Sequence, residues 1–138
     1  MNRYKARENA FIACFELSFM PAELDAIIEL SRESGEYEVD EFGEKLLKAY
    51  YNNSDDVDNR IKENLKGWQL ERIPRVCAVI MRLAVAEMLY LEEATDSTII
   101  NNAVELCKKY AGDDDYQFVN GVLGTIQRSK AADNREEK

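Results

Sequence analysis

The 138-residue chain contains no histidine, so it lacks both the commonest general base and the commonest zinc ligand. Cysteine is scarce: Cys14, Cys77 and Cys107 are widely spaced and form no CxxC pair. An odd number of separated thiols fits neither a disulfide framework nor a metal site, and predicts three reduced core residues. Gly-rich phosphate loops and the GxSxG turn are missing too, so the usual catalytic groups are absent and no enzyme is expected. The acidic run at residues 113 to 115 lacks the spaced oxygen ligands of a calcium loop and reads as the start of a helix, leaving no metal or cofactor to predict. Arg82 and Glu87 interrupt the longest apolar stretch before it reaches the ~18 residues of a membrane span. The first residues are charged, with no apolar segment behind them, which predicts a cytoplasmic protein without membrane attachment.

Basic residues are outnumbered: 18 Lys and Arg face 27 Asp and Glu, for a net charge of −9. At first this argues against nucleic acid, because a phosphate backbone is bound through cations. The distribution changes the argument. Residues 23 to 58 hold twelve acids and three bases, which accounts for the whole net charge. The rest of the chain is neutral overall, and residues 1 to 7 carry Arg3, Lys5 and Arg7 with no acid. A cationic edge can coexist with an acidic lobe, since surface charges act over about a Debye length, ~8 Å at physiological salt.

With only two prolines and six glycines there are few breakers, and nearly every segment shows helical spacing of apolar residues. The class predicted is all-α, with about seven helices in two small helical subdomains. Ala6, Ala10, Phe11, Cys14 and Leu17 mark the first helix; Leu24, Ile27 and Ile28, then Phe42, Leu46, Leu47 and Tyr50, mark two more. These form a three-helix unit over residues 1–53, basic at its start. A second unit is expected over 54–130 and a polar, fraying tail over 131–138. Ser54 and Ser97 are candidate N-caps and Gly67 a C-cap. From Glu71 to about Tyr90 apolar residues cover most of the circumference, so that helix should be central, with Pro74 in its first turn.

Five blocks carry more than periodicity. They are residues 4 to 8 (YKARE), 67 to 73 (GWQLERI), 118 to 123 (FVNGVL), the set Ile80, Arg82, Leu83, Ala84 and Glu87, and the set Ala103, Val104, Glu105, Leu106 and Lys108. In this order they resemble the NusB family over nearly the whole chain, with residues 19 to 56 the poorest match. The resemblance implies a small helical protein that binds boxA-type single-stranded RNA together with the ribosomal protein NusE, within the antitermination complex of RNA polymerase on ribosomal RNA operons. Family members occur as monomers and as dimers, so it leaves the oligomeric state open, a homodimer included.

The resemblance also nominates RNA-binding residues. Arg3, Lys5 and Arg7 fall in the family's arginine-rich segment, and Arg3 and Arg7, at i and i+4, would form a comb along a phosphate backbone. Phe118 is the candidate for stacking on an unpaired base, with Gln117 and Asn120 beside it; on periodicity alone Phe118 reads equally well as core. Trp68 is expected to pack at a hinge, where its loss would cost roughly 3 to 5 kcal/mol if it were buried. Arg72 and Arg82 are expected to pair with acids such as Glu87 or Glu105, although six bases against two acids over residues 60 to 82 keep a second basic patch open. Cys77, Asn102, Gly124 and Gln117 depart from the family's usual residues and bear on partner contacts rather than on the fold. Two other readings stand beside this one: a helical protein-interaction module without an RNA role, and a relative of the domain that precedes certain ribosomal RNA cytosine methyltransferases.

Overall fold

A computed structural model describes residues 1–136. Seven α-helices, α1 (Arg3–Phe19), α2 (Leu24–Ser34), α3 (Glu41–Asn52), α4 (Ser54–Glu63), α5 (Arg75–Ala86), α6 (Asp96–Tyr110) and α7 (Asp115–Glu136), form the protein, with no strand among the described residues. A 3-10 turn, Leu70–Arg72, leads into α5, and a π-turn, Glu87–Leu91, follows it.

Local chemistry sets most helix ends. The Asn2 side chain accepts from the Lys5 amide at 2.8 Å and opens α1; Asp40 accepts from Gly43 at 2.7 Å and opens α3. Each satisfies an amide that the first turn cannot pair. Gly35, at φ +71°, ends α2 in the left-handed conformation that favours glycine. All three expected caps are displaced: Ser54 is the first residue of α4, with Asn53 at the N-cap and no side-chain capping bond. Thr95, not Ser97, caps α6 by accepting from the Thr98 amide at 3.2 Å, and α4 ends at Asn64, leaving Gly67 (φ +81°) to turn the loop beyond.

The central helix is α5, and its burial follows from its composition: Cys77 to Met81 and Leu83 to Ala86 are all buried, and α1, α3, α4, α6 and α7 pack around it. It is shorter than the pattern suggests, because Pro74 caps it and the π-turn takes over at Glu87. All three cysteines are buried free thiols, and burial raises the Cys14 pKa to about 11. The polar segment after residue 130 is helical as far as residue 136. Residues 131–136 continue α7, which is tied down by Lys130 donating to the Met88 carbonyl (2.8 Å) and Asp96 (3.2 Å), and by Arg60 donating to Ser129 (3.2 Å) and Asp133 (2.9 Å). The last two residues of the proposed tail lie outside the described residues.

Candidate nucleic-acid interface

Arg7 corrects the expected comb. It lies at i, i+4 and i+7 with Phe11 and Cys14, on the face of α1 that turns inward, and it is only 6% exposed. Its Nε and Nη2 reach the two Glu87 carboxylate oxygens at 2.8 and 2.6 Å, and Nη1 donates to the Asn102 side-chain oxygen at 2.6 Å. A planar guanidinium fits a carboxylate in this two-pronged way. The charge of Arg7 is spent inside the protein, so it offers nothing to a phosphate. Glu87 thus pairs with Arg7 rather than with Arg82, which binds Asp58 at 3.0 Å, while Glu105 lies 3.7 Å from Lys108.

Arg3 and Lys5 remain at the surface. The Arg3 guanidinium carbon lies 4.1 Å from the centre of the Phe42 ring and forms no ion pair among the described residues, so its charge faces outward. Lys5 reaches Glu8 at 2.9 Å, and the same carboxylate receives Lys109 (2.6 Å) and the Tyr110 hydroxyl (2.9 Å). Burial pushes the Glu8 carboxyl up, but these three donors outweigh it and bring its pKa to about 2. Two exposed lysines therefore share one buried carboxylate, leaving an excess of positive charge.

That cluster continues into α7. Lys108 lies 4.9 Å from the centre of the Tyr116 ring, and the Tyr116 hydroxyl contacts Gln117 at 3.5 Å. Gln117 and Asn120 are exposed on α7 and Phe118 is half-buried, its ring 6.1 Å from that of Trp68 and inclined 69° to it. Lys5 and Lys109 thus meet on Glu8, and Lys108 reaches Tyr116 beside Gln117 and Phe118, so that these contacts join α1 to α6 and α6 to α7, while Arg3 stands apart over Phe42 of α3. The sequence reading missed Lys109 and Tyr116. The signal was a pair of lysines in the last turn of a helix followed by tyrosine, where residues 97 to 112 hold one acid, Glu105.

Trp68 is the second correction. It is 63% exposed rather than packed in a hinge, because the turn at Gly67 carries it out of the chain's inner face before Leu70 and Ile73 return to the core. Asn120 lies in a polar groove of about 410 Å³ with Ser97, Asn101, Gly124, Gln127 and Arg128. Among the described residues, no group of three His, Cys, Asp or Glu side chains could hold a metal ion, and no helix is long and apolar enough to cross a membrane.

Comparison with known proteins places this geometry in context. The NusB family model matches residues 4–128. Transcription antitermination protein NusB of Clostridium novyi is 33% identical over 130 residues, covering 91% of this chain and 98% of the relative, and that of an Exiguobacterium species is 39% identical, covering 91% and 97%. Among solved structures, antitermination factors NusB and NusE in complex with double-stranded RNA give a TM-score of 0.83 at 26% identity, covering 94% of this chain and 99% of the other. NusB of Aquifex aeolicus in solution gives 0.80 at 28% identity, covering 99% and 96%. A family model over residues 4–128 and relatives at 33% and 39% identity across 91% of the chain show that the chain belongs to the NusB family.

Proposed function

We propose that this chain is a non-catalytic, cytoplasmic adaptor that binds boxA-type single-stranded RNA together with NusE. It thereby serves the antitermination complex that carries RNA polymerase through ribosomal RNA operons. Family membership supports the role, since a similar solved protein is an antitermination factor in complex with NusE and RNA. The single observation that carries the RNA assignment is the margin where Lys5 and Lys109 meet on Glu8 and Lys108 reaches Tyr116 beside Gln117 and Phe118, in a protein whose net charge is −9; Arg3 adds an exposed cation at the start of the same α1. Cations in such a line neutralise phosphates, and the half-buried Phe118 ring offers a face to an unstacked base.

Arg7 leaves the proposed set, and Arg3, Lys5, Gln117, Phe118 and Asn120 stay in it, joined by Lys108 and Lys109. The reading divides the molecule at residue 53, between α3 and α4, and the proposed RNA margin joins α1 of the first unit to α6 and α7 of the second. The acidic segment over residues 23 to 58 would then disfavour RNA along α2, α3 and the start of α4 by repulsion.

The test is a fluorescence-anisotropy titration of a labelled boxA-type oligonucleotide, with and without NusE, over a range of salt. Binding that tightens when NusE is added, and weakens linearly in log salt, is expected. Replacing Lys5 and Lys108 by alanine should flatten that slope by about 0.7 for each phosphate contact removed. Absence of binding with NusE present would overturn the proposal, and a preference for duplex over single strand would reassign the ligand.

A further inference from the structure

Trp68, the single tryptophan of the chain, is more than half exposed and projects beside Phe118. Two other exposed aromatic side chains are shielded by cations: Arg75 lies 4.1 Å from the centre of the Phe19 ring, and Lys109 lies 5.4 Å from that of Tyr110. Among the described residues no cation covers Trp68. The aromatic pair forms a ridge between two grooves. One, of about 400 Å³, is lined by Lys66, Gln117, Thr125 and Arg128; the other, of about 200 Å³, by Arg72, Pro74 and Asp115.

Charge complementarity identifies the occupant. Lys66, Arg72 and Arg128 are exposed and have no carboxylate partner among the described residues. Asp115 is the one acid lining these two grooves, and its carboxylate accepts from the Gly112 amide at 2.8 Å. An uncovered indole flanked on both sides by free cations suits a ligand with flat aromatic units spaced along a polyanion. A single-stranded nucleic acid has that constitution; an acidic peptide supplies the anion without the rings. The geometry points to Trp68 as a stacking platform for one base of single-stranded RNA, with Lys66, Arg72 and Arg128 holding the flanking phosphates. This extends the proposed RNA path past Phe118, and it rests on the RNA-binding reading above.

Because Trp68 is the only tryptophan, its emission tests the inference directly. The complex with NusE is titrated with the boxA-type oligonucleotide while anisotropy follows overall binding and tryptophan emission follows Trp68. The Trp68→Phe variant supplies the background from NusE. Quenching that saturates with the anisotropy signal is expected, together with an affinity loss of about 5- to 150-fold for Trp68→Ala and a smaller loss for Trp68→Phe. Circular dichroism of each variant should match the parent, since the ring is largely exposed. If RNA binds while emission stays constant and Trp68→Ala binds normally, the platform is overturned and the RNA reading survives. A Trp68→Ala variant that loses NusE but keeps RNA would also overturn it, assigning the ridge to protein. Absence of any RNA binding would remove both.

Discussion

Arg7 and Trp68 occupy each other's expected places. The cation predicted to lie at the surface is buried against Glu87 and Asn102, and the ring predicted to be inside stands 63% exposed beside Phe118. The two regions differ in what fixes the side chain. Arg7 sits within a long helix, where the spacing of Phe11 and Cys14 dictates its direction regardless of its charge. Trp68 follows a glycine at φ +81°, and there the turn, not a period, dictates direction. Residue type alone is a poor guide to exposure; the backbone that carries the residue decides.

The contrast can be broken or sharpened by substitution. The largest effect is expected for Arg7→Ala, which leaves the Glu87 carboxylate buried without its partner and should cost about 3 to 5 kcal/mol in urea denaturation. Replacing both Arg7 and Glu87 by methionine should recover most of that loss; if Arg7→Ala alone costs under about 1 kcal/mol, the buried pair is not as described. Next is Glu8→Ala, expected to cost roughly 2 kcal/mol near pH 7 by removing a carboxylate that accepts three hydrogen bonds. The folded pKa of Glu8, about 2, lies below its ordinary 4.5, so its contribution is complete above pH 4.5 and is lost as pH falls from 4.5 through about 2. The stability difference between Glu8→Ala and the parent should therefore shrink over that window, and a constant difference would contradict the ion-paired carboxylate.

Smaller still is Trp68→Ala, expected to cost about 1 kcal/mol or less in the same assay, against the roughly 3 to 5 kcal/mol of a buried tryptophan. The smallest stability effect is expected for Arg3→Ala, about 0.5 kcal/mol for an exposed cation over the Phe42 ring. Its larger consequence should appear in the salt dependence of RNA binding.

Much of the fold was legible because helix positions repeat. The apolar stripes of α1, α3 and α5 follow from spacing alone. The site was legible only in part. Arg3, Lys5, Gln117 and Asn120 are exposed as their chemistry suggests, but the convergence of Lys5 and Lys109 on Glu8 joins residues 101 positions apart. No local pattern encodes such a meeting. The same holds for Thr95 taking the cap from Ser97, a choice between two neighbouring hydroxyls that the sequence offers equally.

The clasp between Arg7 and the distant pair Glu87 and Asn102 also imposes an order of assembly, since it spans 80 and 95 positions along the chain. α1 precedes its partners along the chain, so its guanidinium lacks this counter-charge until residue 87 has emerged. Early in synthesis that helix carries a bare cation on an otherwise greasy stripe, which discourages premature collapse with the wrong neighbour. The first helix is thus locked by residues far along the chain, Glu87 and Asn102, rather than by its sequence neighbours.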